Sequence, residues 1–402
     1  MNAPLTSSVR IEIAASPASV LRRRARERRE AGHNIIDLAS GNLDFATPEH
    51  VLDAAHEAAL KGDTRYTEAD GTPALKEAVR ASLARHNGLD YQSDEIIIST
   101  GSTQALFNAF LATLVVGDEV VVPAPYWAPY LSQLRIAGGM PVIVPCYQNN
   151  GFKLRPQDLR ESIGERTRWV IINNPVNPSG AVYSQEDLAG LADVLSRHPH
   201  IRIAANNLYE HIVFEGGRPP GLAKVAPHLK ARILTVGGVA KAYAMMGWRV
   251  GYAAGEKGLI RQMANIQSQT TSAPSSISQA AAVAALNGPQ DLLSERVEIL
   301  RAKRDLLVQA LEDCVGLSCS APRGTFYLLI DCAGVIGKRP ANGAEIKTDR
   351  DFASYLLEAA DLVVFPGADF GLSPYIRVSF ANPQSTLEEA AHRIKLACRA
   401  LR

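Results

Sequence analysis

Residues 237–249 read Gly237-Gly238-Val239-Ala240-Lys241-Ala242-Tyr243-Ala244-Met245-Met246-Gly247-Trp248-Arg249. The stretch follows a short run at 232–236 with strand character. It sets one lysine among small and apolar residues. Burial disfavours an ammonium ion, so such a lysine has its amine freed as a nucleophile toward an aldehyde. Further along, Arg249 offers a guanidinium fork suited to a phosphate. Taken alone, the same residues also describe a lysine at a loop tip and an arginine in a salt bridge. The neighbouring sequence has to decide.

Outward from that stretch, apolar runs alternate with helix-length segments. Strand-like runs fall at 95–100, 119–122, 169–173 and 201–205, besides 232–236. Helical spacing joins Leu106, Phe110, Leu111 and Leu114. This alternation predicts a parallel sheet with helices on both faces. Gly101-Ser102-Thr103-Gln104 closes one strand and opens a helix. Backbone N–H groups at such a turn, aided by the helix dipole, hold anions. Turn geometry alone accounts for the same residues. Past about residue 290 the texture changes. A charged helix over 293–314, strand-like runs at 325–331 and 362–365, and a closing helix over 385–401 read as a smaller α+β domain. Residues 18–32 read as a helix with a basic face, suited to an anionic partner or simply solvated with Arg–Glu pairs. No internal repeat or low-complexity tract stands out.

Composition bounds the class. In 402 residues the formal net charge is +1, which argues against a nucleic-acid-binding face. Hydrophobic residues at 47% and charged residues at 21% fit a globular chain with a large core. The five cysteines form no C-x-x-C pair, so neither a disulfide framework nor a zinc site is expected, and no metal is. The first residues lack a sustained apolar stretch, and no apolar run approaches the ~20 residues that cross a bilayer. A cytoplasmic enzyme, free of membrane and nucleic acid, is the expectation.

Other segments complete a pattern. They are Leu38-Ala39-Ser40-Gly41-Asn42-Leu43-Asp44-Phe45-Ala46-Thr47-Pro48, Arg65-Tyr66-Thr67 with Gly71, and Pro125-Tyr126-Trp127. Then come Asn173-Asn174-Pro175-Val176-Asn177-Pro178-Ser179-Gly180 and Tyr375-Ile376-Arg377-Val378-Ser379-Phe380. In this order, and with the lysine stretch, they resemble the class I aminotransferases, fold type I enzymes dependent on pyridoxal phosphate (PLP). The bacterial aspartate and prephenate aminotransferase branch is the most similar. The matches run from about residue 38 to 382.

The resemblance implies a mostly parallel seven-stranded α/β domain over 46–290. A smaller α+β domain would be built from 1–45 and 291–402. It implies that Lys241 forms the Schiff base with PLP and then moves the substrate's Cα proton. Ser102, Thr103 and Arg249 would hold the phosphate, and Trp127 would stack on the ring. Asn177 and Tyr209 would hydrogen-bond the ring's 3′ oxygen. Arg377 would clamp the α-carboxylate of an amino acid substrate, with Asn177 beside it and Gly41 leaving room for it. Tyr66 would reach the phosphate of a neighbouring subunit, making a homodimer part of the site.

Departures from the pattern carry information. At Asn206-Asn207-Leu208-Tyr209 the family reads D-E-x-Y, so Asn206 stands where an aspartate keeps the pyridine nitrogen cationic. An amide can only donate a hydrogen bond to a neutral ring nitrogen. A neutral ring is a weaker electron sink, which leaves two reactions open. One is amino-group transfer to a 2-oxo acid. The other is carbanion chemistry without transfer, by β/γ-elimination, replacement or cyclisation, which Asn206 favours. Thr103 replaces a lysine that some relatives aim at a distal carboxylate, and Asn42-Leu43 replaces Glu-Pro. The first predicts that an acidic substrate loses support, and the second also suggests altered specificity.

Overall fold

The computed structural model describes residues 17–341 and 343–402. Its strands in chain order are β1 (Ile36–Asp37), β2 (Ile96–Ser99), β3 (Glu119–Ala124), β4 (Met140–Pro145), β5 (Thr167–Asn173), β6 (Arg202–Asn206) and β7 (Ile233–Gly238). They continue with β8 (Gly251–Ala254), β9 (Ser318–Cys319), β10 (Tyr327–Asp331), β11 (Leu362–Val363), β12 (Phe365–Pro366) and β13 (Tyr375–Ser379). Seven of them make one sheet in the order β2-β8-β7-β6-β5-β3-β4. All its pairs are parallel except those of β8, which runs antiparallel to β2 and β7.

Continuous apolar runs make these strands because both faces of the sheet are covered. Ile96 and Ile98 pack into one apolar cluster while Ile97 packs into another. Ile172 and Ile171 of β5 divide in the same way. A third cluster joins Leu21, Leu38 and Leu43 to residues from 300 onward, among them Leu300, Phe352, Leu356 and Ile394. A second sheet, β12-β13-β10-β9, is antiparallel throughout.

Three differences from the sequence reading have physical causes. The run at 362–365 is not one strand. The chain changes sheets at the fully buried Val364, so β11 pairs in parallel with β1 and β12 pairs antiparallel with β13. Neither β4 nor β8 is expected from sequence. Two prolines interrupt β4, and a sheet tolerates them there because β4 is an edge strand. Four small or aromatic residues, Gly251-Tyr252-Ala253-Ala254, form β8 without strong β propensity. The basic helix is Pro17–Glu30, and Gly32 (φ +93°) follows it in a left-handed turn. Part of its basic face is paired with carboxylates near the end of the chain. Arg24 pairs with Glu358, and Arg28 lies 3.0 Å from Glu358 and 2.8 Å from Asp361. Among the described residues no helix is long and apolar enough to cross a membrane.

Candidate active site

The carboxyl ends of the parallel strands open into a cavity of about 750 Å³. It is lined by Gly41, Ser102, Thr103, Trp127 and Asn177, and by Asn206, Tyr209, Lys241, Arg249 and Arg377. Ten of the eleven residues singled out from sequence therefore meet at one place. Tyr66 does not line it; its side chain is 97% exposed.

One end is built for an anion. Gly101 (φ +81°) caps the helix Ser102–Thr113 without any side-chain cap, so the first N–H groups face outward. Arg249 has left-handed φ (+55°) after the short turn Met246–Trp248, and its Nη1 donates to the Met246 carbonyl at 2.9 Å. That conformation sends the guanidinium back onto the helix start. A Cβ on Gly101 would lie 2.5 Å from Arg249 Nη2. Gly251 in β8 gives equally close approach on the other side, since a Cβ there would lie 2.1 Å from the Ser102 nitrogen.

At the centre, Lys241 follows β7 and donates from Nζ to the Gly41 carbonyl at 2.7 Å. Burial lowers its pKa, and the charges on Arg377 and Arg249 push the same way. The Phe326 and Tyr209 rings lie 5.3 and 5.8 Å from the ammonium. Burial and the two arginines favour the free amine that carbonyl chemistry requires, while the aromatic faces work the other way.

The other end holds a buried cation. Arg377 is 5% exposed and has no ion-pair partner among the described residues. Its Nη1 donates to Asn177 Oδ1 at 3.1 Å and its Nη2 to the Ala39 carbonyl at 2.8 Å. Nε is buried without a partner. The rings of Tyr327, Phe370 and Phe365 surround the guanidinium at 4.2, 4.8 and 5.2 Å. A buried charge without a counter-ion is costly, so the arrangement calls for an anionic ligand.

Between the two ends, Trp127 meets Tyr130 edge-on with ring centroids 5.3 Å apart. Asn206, at the end of β6, donates from Nδ2 to Tyr130 Oη at 2.8 Å and accepts from the Leu208 N–H at 3.3 Å. Tyr130 Oη also meets the Asn173 amide at 3.2 Å. Tyr209 Oη lies 3.3 Å from Tyr327 Oη, and burial raises the Tyr209 pKa. Sequence reasoning missed Tyr130, Asn173 and Tyr327. Tyr130 stands three residues past Trp127 in Pro125-Tyr126-Trp127-Ala128-Pro129-Tyr130, a helix start that signals its closeness. Tyr327 sits in an apolar strand, and only the pairing of β10 with β13 brings it under Arg377.

These features fit PLP. The uncapped helix start with Arg249 offers a phosphate cradle, Lys241 an amine for the aldehyde, and Trp127 an aromatic face. Asn206 adds a neutral amide to the same cavity.

Residues 33–394 match the family described as aminotransferase class I and II. The chain is 52% identical over 375 residues to an aspartate aminotransferase of Rhizobium meliloti, covering 93% of this chain and 92% of that one. It is 45% identical over 386 residues to a probable aspartate/prephenate aminotransferase of Rickettsia bellii, covering 96% and 97%. The crystal structure of the aspartate aminotransferase from Rhizobium meliloti superposes with a TM-score of 0.95 at 49% identity over the whole of both chains.

Proposed function

The chain belongs to the class I and II aminotransferases, and from that premise we propose that it transfers the amino group of an α-amino acid to a 2-oxo acid, with PLP carried on Lys241. The observation that carries this reading is the cavity's lysine, its pKa lowered, lying between an anion cradle and a buried, unpaired guanidinium. The relatives above are named for amino-group transfer, and this reading is taken over elimination, replacement or cyclisation.

We assign Ser102, Thr103 and Arg249 to the phosphate, Trp127 to the ring face, and Asn177 with Tyr209 to the ring's 3′ oxygen. When bound, PLP supplies the aldehyde that takes up the amino group and the conjugated ring that absorbs the electron pair left at Cα. Arg377 grips the α-carboxylate through a bidentate pair, held in place by Asn177 and the Ala39 carbonyl. Gly41 keeps that approach open: a Cβ there would lie 3.0 Å from Tyr327 Oη and 3.6 Å from Lys241 Nζ. Lys241, its pKa lowered by burial, takes the proton from Cα and returns it to the carbon that receives hydrogen. Asn206 donates a hydrogen bond toward the ring nitrogen and supplies no charge.

Tyr66 is assigned to the phosphate site of a second copy, supported by its exposure outside its own cavity. Residues 46–290 are assigned to the large domain, and 1–45 with 291–402 to the small one. The five cysteines are free, which fits the cytoplasm.

The test is a half-reaction. The chain is loaded with PLP, reduced with borohydride and mapped by mass spectrometry. The added mass should fall on the peptide bearing Lys241 and vanish in Lys241→Ala. Unreduced holoenzyme given an L-amino acid alone should release stoichiometric 2-oxo acid. Release of ammonia or of a shortened product instead would refute amino-group transfer.

A further inference from the structure

Four charged side chains lining the cavity have no part in the chemistry above: Arg22, Arg135, Arg350 and Asp369. Asp369 is the only carboxylate among the described lining residues. Its side chain is 6% exposed, and neither oxygen has a partner in hydrogen-bonding geometry. Arg350 Nη1 lies 2.5 Å from its Oδ1, and the Arg350 side chain is 42% exposed. Arg350 makes no other ion pair or hydrogen bond among the described residues. Its remaining donors are therefore free.

The other two arginines differ from Arg350. Arg22 is exposed and rests on the Phe365 ring at 5.1 Å, with no carboxylate partner among the described residues. Arg135 is exposed and likewise unpaired among them. Only Arg350 is braced from behind by a buried carboxylate, which fixes its planar fork before any ligand arrives. The brace stands in the short turn Gly367–Phe370. Asp349 anchors that turn: it is fully buried and accepts the Ala368 N–H at 3.0 Å and the Tyr375 N–H at 3.3 Å. Asp369 precedes Phe370, whose ring packs on Arg377. One turn thus carries both a wall of the α-carboxylate receptor and the support of a second guanidinium.

Three arginines against one carboxylate give the outer cavity a net positive charge. An anionic group is the ligand that suits it; a second cation would meet Arg350 head-on. Thr103, which also lines the cavity, brings no charge of its own. We propose that Arg350 is the specificity-determining residue for an acidic group on the substrate side chain, and that Asp369 is its positioning residue. This rests on the amino-transfer reading given above.

The experiment uses the PLP-loaded chain and its variants Arg350→Gln, Asp369→Asn, Arg22→Gln and Arg135→Gln. The half-reaction is run with L-aspartate, L-glutamate and L-alanine, and the unreactive dicarboxylate succinate is titrated against the cofactor's absorbance. Arg350→Gln should lower kcat/KM for the acidic substrates about ten- to a hundredfold, through KM, and weaken succinate to the same degree. Alanine should change by less than about twofold. Asp369→Asn should show the same pattern, weaker, while both variants keep the parent melting temperature within the scatter of surface substitutions. Equal losses for alanine and the acids would make the pair structural and overturn the proposal. So would loss of acid preference in Arg22→Gln or Arg135→Gln but not in Arg350→Gln. If Lys241 takes no label, or the parent releases no 2-oxo acid from any of the three, the amino-transfer reading fails. If label and alanine turnover persist but Arg350→Gln leaves the acids unaffected, the side-chain proposal alone fails.

Discussion

Arg377 is a fully enclosed cation whose neighbours supply only two neutral acceptors and three aromatic faces. Its orphan Nε and the lack of an ion-paired carboxylate among the described residues make sense if the missing partner is a ligand's carboxylate. Arg377→Lys keeps the charge but loses the fork, so KM for every α-amino acid should rise about ten- to a hundredfold. Labelling of Lys241 by PLP and borohydride should be unaffected. Unchanged KM in steady-state assays, with several donors, would remove Arg377 from the carboxylate role. Lys241 and Arg249 were legible in the sequence because the segments around them complete a pattern similar to the class I aminotransferases. Tyr130 and Tyr327 were not, because a tyrosine in an apolar run reads as core until something is seen to lie beside it.

Among the elements, the helix Ser102–Thr113 and β8 depend on one another. Gly251 touches the helix start so closely that a Cβ would fall 2.1 Å from the Ser102 nitrogen and 2.8 Å from its Cα. Both clashes are with backbone, which cannot swing aside. Gly251→Ala should therefore lower stability by about 1–3 kcal/mol. It should also weaken PLP by pushing the helix start away from Arg249. Thermal melts and a PLP titration check both; a variant with parent melting temperature and parent affinity would show that the contact is slack. The sequence missed β8 because its four residues carry little β propensity of their own. It is a strand because β2 and β7 lie on either side of it. The same holds at 362–366, where adjacent residues serve two different sheets and only the pairing partners reveal the break.

The whole molecule has a pH dependence that follows from packing. His86, on the helix Pro73–Asn87, and His211 meet edge-on with ring centroids 5.6 Å apart. Burial and the nearby Arg218 and Arg85 push the His86 pKa from 6.5 down to about 4, and burial with Arg218 and His86 lowers that of His211. Glu210, Asn87 and Arg218 complete the cluster, with Arg218 2.5 Å from Glu210 and Asn87 2.7 Å from it. Below pH ~6.5 the unfolded chain takes up protons at both histidines, while in the native chain His86 does not until about pH 4 and His211 is likewise held back. Stability is thus intact above about pH 6.5 and declines as the pH falls toward 4. Urea denaturation between pH 4.5 and 7.5 should show that slope, and His86→Gln should flatten part of it; an equal slope in the variant would discount His86. What the sequence determined by itself was the class of fold, the order of its chemical segments and ten residues that share one cavity. The fold class follows from strand and helix periodicity, and most of the ten residues from the resemblance of their motifs to those of the class I aminotransferases. The tertiary structure alone decided that Asp369 braces Arg350, that Tyr327 lies under Arg377, that β8 closes against the helix start, and that Tyr66 stands outside its own cavity. Those are contacts between residues far apart in the chain. Their energies come from burial and enforced proximity, which no local pattern encodes.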